Sequence, residues 1–114
     1  MEENINKIIV STLSATNLPT YFIMKPEHID QNDYITFNYI ETDDWYSNDK
    51  SELSEYSVTL NFITTDLMNI IRKNEMIKDT LKNNERFMGV NKFQTVYDDK
   101  KRCYLTVFTF KIYR

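Results

Sequence analysis

Between Tyr56 and Leu81 the hydrophobic period of this chain changes from two to about three and a half, which narrows the possible folds more than any other stretch. Tyr56, Val58, Leu60 and Phe62 alternate with Ser57, Thr59 and Asn61, the pattern of a strand with one buried face. A helix is predicted to follow at once. Thr65 stands where a cap would accept a hydrogen bond from a free backbone amide, and Leu67, Ile70, Ile71, Ile77 and Leu81 fall mostly on one side of the cylinder. A strand that hands over directly to a helix can lay that helix across its own sheet. The stretch holds no nucleophile beside a base, no ligand cluster and no glycine loop.

The flanking segments supply further elements. Glu2 to Asn17 predicts an amphipathic helix with Ile5, Ile8, Ile9, Thr12 and Leu13 on one stripe, stopped by Leu18 and Pro19. Tyr21 to Met24, bounded by prolines, predicts a short strand or an extended segment at an edge. Tyr34 to Glu41 is a strand pattern in which Ile35, Phe37 and Tyr39 share a side, and Phe87 to Tyr97 is another, bent at Gly89. Asn83 and Asn84 suit the exit of the second helix. Asp98, Asp99, Lys100 and Lys101 form a hairpin turn into a last strand, Arg102 to Tyr113. That strand is apolar on both sides, with Tyr104, Phe108, Phe110 and Ile112 on one and Cys103, Leu105, Val107 and Tyr113 on the other. A central strand, or one whose outer face meets another subunit, has this pattern.

The expected fold is therefore α+β, a two-layer sandwich in which a mainly antiparallel sheet of four to five strands carries two helices on one face. At 114 residues it forms a single domain spanning 1–114. Two helices cannot cover both faces of such a sheet, so the other is expected to be partly exposed in an isolated monomer, and its supply of Tyr, Phe and Ile is expected to make it greasy and to favour oligomerisation.

Composition removes several classes of function. A net charge of −3 disfavours general attraction to a phosphate backbone. One glycine argues against a glycine-cradled phosphate site, and one cysteine rules out an internal disulfide. No apolar run reaches the roughly 20 residues of a membrane span, and the acidic, polar start is unlike a secretory signal, which predicts a chain made in a reducing cytoplasm.

Candidate chemistry is sparse. His28 has no neighbouring ligands that would make it a metal or catalytic residue, and Cys103 reads as a small buried hydrophobe rather than a thiolate activated by Arg102. The pairs Asp43–Asp44 and Asp98–Asp99 lack the spacing of a calcium loop or of a glycosidase and read as surface charge. Lys100, Lys101 and Arg102 keep a hairpin soluble more readily than they bind nucleic acid. No catalytic residue, metal ligand or cofactor site is expected, and the chain is not expected to be an enzyme. The long acidic segment Thr42 to Ser54 is the best candidate for contact with a partner, its Trp45 either serving as a binding anchor or folding back onto the sheet. The expected interaction residues are Asp43, Asp44, Trp45 and Tyr46 in this segment and Tyr104, Phe108 and Phe110 on the last strand.

In order and wording these elements resemble the tail-completion or tail-terminator (head-tail joining) proteins of long-tailed bacteriophages. The likeness rests on the proline-bounded segment Leu18 to Pro26, the strand beginning Asp33-Tyr34-Ile35-Thr36-Phe37, and the strand Glu55 to Thr64 running straight into a helix. It rests most on the closing hairpin, Tyr97-Asp98-Asp99 into Tyr104-Leu105-Thr106-Val107-Phe108-Thr109-Phe110 and ending at Tyr113-Arg114. The resemblance implies a structural virion protein without enzymatic activity, assembled in the bacterial cytoplasm. It implies a homo-oligomeric ring, commonly a hexamer, that caps the head-proximal end of the tail tube and offers a surface to head connector proteins. DNA would meet it only in passage through the lumen, where an acidic segment would discourage sticking, and no membrane is involved. A small non-enzymatic adaptor that binds a protein partner through the Trp45 segment is the alternative.

Overall fold

The strand-to-helix passage at Tyr56–Leu81 forms the middle of the fold in the computed structural model, which describes residues 4–27, 29–43 and 54–113. The elements are α1 (Ile5–Leu13), a 3-10 turn (Ser14–Thr16), β1 (Thr20–Phe22), β2 (Asp33–Asp43), β3 (Ser54–Thr64), α2 (Leu67–Asn83), β4 (Phe87–Lys92), β5 (Val96–Asp98) and β6 (Cys103–Tyr113). The fold is α+β. Six strands lie in the order β1-β2-β3-β6-β4, with β5 also beside β6. The count exceeds the expected four to five because the segment Phe87 to Tyr97 is two short strands, both antiparallel to β6. Gly89, at φ +63°, sits in the register shift between Met88 and Asn91, so the expected bend is a glycine bulge.

Strand alternation decides which side chains meet the helices. Ile35 and Phe37 on β2, Val58, Leu60 and Phe62 on β3, and Phe108, Phe110 and Ile112 on β6 share one face, and all are buried. Both helices pack there: Ile5, Ile9 and Leu13 of α1 and Ile70, Ile77 and Leu81 of α2 join the same core. Tyr39 Oη donates to Asn6 Oδ1 at 2.6 Å, which ties α1 to β2, and Asn84 Nδ2 donates to Thr12 Oγ1 at 2.9 Å, which ties the end of α2 to α1.

Two expectations about α2 need correction. The cap is Asp66, whose carboxylate accepts from the Met68 amide at 2.9 Å, while Thr65 lies before it and makes no cap. The buried stripe is Ile70, Asn74, Ile77 and Leu81, with Leu67 and Ile71 turned outward at 51% and 63% exposure. The stripe keeps its spacing but takes a polar residue in its second turn. Asp33 locks the two ends of this unit together, since one carboxylate oxygen accepts from the buried Thr64 hydroxyl and the other from Asn69 Nδ2 at 2.7 Å.

β1 runs parallel to β2, whereas the other pairings among the described residues are antiparallel. Parallel neighbours need a crossover, and here the chain between Phe22 and Asp33 makes it. It leaves the sheet through Ile23, a β-branched residue held at φ +73°. Ile23, Met24, Lys25 and Glu27 then line a cavity with Tyr34, Thr36, Asn61 and Ile63 on the face opposite the helices, so the crossover covers part of that face.

Candidate interaction surface

The face without helices differs in chemistry from the expected greasy one. Thr36, Asn38, Ser57, Thr59, Asn61 and Thr109 occupy most of its middle, because Phe37, Tyr39, Tyr56, Phe62, Phe108 and Phe110 point the other way. Apolar groups lie toward one end, where Tyr34, Ile63, Cys103 and Leu105 line an open cavity of about 460 Å³. The crossover forms one wall with Ile23, Met24 and Lys25, and the β5–β6 hairpin forms another with Asp98 and Lys101. On the floor Asn61 Nδ2 donates to Thr36 Oγ1 at 3.4 Å, a long bond. The Lys25 ammonium donates to the carbonyls of Ile29 and Pro26 and lies 5.7 Å from the centre of the Tyr34 ring, which fixes the crossover over the sheet.

The cavity is not built for nucleophilic chemistry. Burial, then the Asp98 carboxylate, raise the Cys103 thiol above its ordinary value, and Lys101 opposes them only in part. The thiol therefore stays protonated at neutral pH. Burial, then Cys103, raise the Tyr34 phenol as well, and burial followed by Tyr56 and Glu41 raises Tyr39. On the exposed strand end, the hydrogen bond to Glu55 is the main cause raising Tyr113. Each of these groups holds its proton more tightly folded than unfolded. Their contribution to stability is thus complete below the unfolded values and is lost as pH rises through the folded ones. The urea midpoint is expected to fall as pH climbs from roughly 8.5. Replacing Cys103 by Ala together with Tyr34 by Phe should flatten that fall, and a midpoint that stays level or rises between pH 8 and 11 (about the range of these groups) would contradict the assignment.

Of the expected interaction residues, Asp43 ends β2, and Asp44, Trp45 and Tyr46 lie outside the described residues, as does His28. Phe108 and Phe110 are 0% and 2% exposed beneath the helices, which removes them from any surface another chain can reach. Tyr104 is half-buried at the end of the same face, its ring 4.9 Å from that of the more exposed Tyr97. The two-sided pattern of the last strand is that of a central strand, with β3 on one flank and β4 and β5 on the other. The cavity was not legible beforehand, since its walls come from a crossover and a hairpin about 75 residues apart in the chain.

Among the described residues no three metal-ligating side chains cluster, and no helix is long and apolar enough to cross a membrane. No protein-family model matches the chain, and no curated protein matches it well enough to count as a relative.

Proposed function

We propose that this chain is a structural virion protein that closes the head-proximal end of a phage tail tube as a ring of copies and joins it to the head connector. The observation that supports this best is the lopsided wrapping, in which both helices lie on one face of a six-stranded sheet. Apolar side chains also remain outside. Leu67, Met68 and Ile71 on α2 and Phe93, Val96 and Tyr97 along the β4–β5 lane are each about half exposed or more. A single contact repeated from copy to copy closes a ring when its rotation closes, and a flank of this kind meeting a different surface of the next copy gives such a contact. Nothing in this reading calls for a cofactor or a catalytic group.

Mass in solution tests it. The 13.7 kDa chain is expected to form a hexamer-sized particle, either alone at high concentration or when mixed with assembled tail tubes. A monomer under both conditions overturns the proposal. A one-to-one complex with a single partner, lost on Trp45→Ala, would replace it with the adaptor reading.

A further inference from the structure

We propose that the outer edge of β2 between Tyr39 and Asp43 is a docking site for an extended segment of a different protein, one that alternates cationic and apolar side chains and adds to the sheet as a strand. β1 pairs with β2 only from Ile35 to Phe37, so from Asn38 onward no strand among the described residues flanks that edge, although β3 pairs with the other side without interruption to Asp43. The amide of Ile35 donates to Pro19 and the carbonyl of Phe37 accepts from Ile23, both toward β1. With a period of two, the backbone groups of Tyr39, Glu41 and Asp43 point the same way, out of the sheet.

Unpaired edges template further strands, and folded proteins usually blunt them. This chain blunts the opposite side. There β4 is broken by the Gly89 bulge and carries Lys92, and β5 has only three residues. The β2 edge has no bulge, no proline and no lysine, and Ile40 beside it is 71% exposed. One edge is guarded and the other is left regular.

Charge identifies the occupant. Residues 41–55 hold six carboxylates against one base, Lys50, so they carry −5 of a chain whose total is −3 and leave +2 on the remainder. Pairing two copies edge to edge through β2 would set the Glu41 and Asp43 end of one copy against the same acidic end of the other, which like charge opposes. A strand laid here meets Tyr39 and Glu41 with one set of side chains and Asn38 and Ile40 with the other. Lysine or arginine therefore suits the first set and branched apolar residues the second. The backbone supplies affinity and the alternation supplies selectivity. This site does not depend on the ring reading, because a monomer would present the same edge.

Two short capped peptides, one alternating Lys with Val and one alternating Glu with Val, test the proposal on the full chain by amide exchange. The Lys–Val peptide is expected to slow exchange at the Tyr39 and Glu41 amides by roughly tenfold, and to bind more weakly as salt is raised. Glu41→Pro removes an outward amide without touching the β3 ladder and should abolish binding with the fold retained. Glu41→Lys should shift preference toward the Glu–Val peptide, a test that stands even if the proline variant fails to fold. Equal binding of both peptides, or binding that leaves the Tyr39 and Glu41 amides unprotected, overturns the proposal. So does self-association that Glu41→Pro abolishes, since the edge would then belong to a second copy.

Discussion

Replacing Phe108 by alanine is expected to destabilise the isolated chain by about 3–5 kcal/mol, a large share of the roughly 5–15 kcal/mol that holds a domain of this size together. The ring is fully buried in the middle of β6, opposite Leu60 on β3 and Lys92 on β4, in a core closed by both helices. Its removal deletes buried apolar surface and leaves a cavity that two packed layers cannot collapse around. Phe110→Ala should behave in the same way, because its ring stacks on Phe87 at a centroid distance of 4.5 Å. Tyr97→Ala, on the exposed β5, should cost far less. Urea unfolding of the isolated protein measures all three. If Phe108→Ala changed stability by less than about 1 kcal/mol and reduced only self-association, the row Tyr104, Phe108 and Phe110 would be an interface after all.

That row marks the limit of what alternation reveals. The pattern on β6 separated its two faces correctly, but both were apolar enough to be the buried one, and only the position of α2 chooses between them. Where one face was plainly polar, as on β3 with Ser57, Thr59 and Asn61, the inward face was legible from sequence alone. The same reasoning found α1, whose stripe Ile5, Ile9 and Leu13 is buried, and the Gly89 bend, where a positive φ calls for the one residue without a side chain.

What sequence could not supply was tertiary. The parallel pairing of β1 follows from a crossover, and no local pattern distinguishes a crossover from a polar turn. The cavity beneath that crossover was hidden for the same reason. The outer edge of β2 was hidden because a strand's neighbours are set by the length of the strand beside it. β1 has three residues and β2 eleven, and the excess is the free edge. Misplacing the face of α2 had a different cause. Leu67 and Ile71 offered an apolar continuation of the stripe, and Asn74 offered a polar one, so hydrophobicity pointed to the wrong side of the first two turns.

Asn74→Asp should therefore be among the most damaging changes available that alter no shape. Asn74 is 6% exposed, its Nδ2 donates to Thr95 Oγ1 at 3.1 Å, and Thr95 Oγ1 lies 2.7 Å from Oγ1 of the fully buried Thr106. The amide oxygen has no partner, so one end of this side chain goes unsatisfied. A carboxylate in the same place has a single hydroxyl to receive it, and burial raises its pKa above the ordinary value of about 3.9. With the folded pKa above the unfolded one, the variant keeps its stability below the unfolded value and loses it as pH rises through the folded one. The deficit relative to the parent, compared at each pH, should reach about 3 kcal/mol or more near pH 7 and shrink toward zero near pH 4, where the protonated acid donates to Thr95 as the amide did. Asn74→Leu separates charge from lost polarity. It removes the orphaned oxygen and leaves Thr95 and Thr106 bonded to each other, so its effect should stay within about 1 kcal/mol. A deficit for Asn74→Asp that does not change between pH 4 and 7 (about the span set by its carboxyl) would show that desolvation is not its cause. A loss for Asn74→Leu as large as that for Asn74→Asp would mean that the amide itself holds β5 against α2.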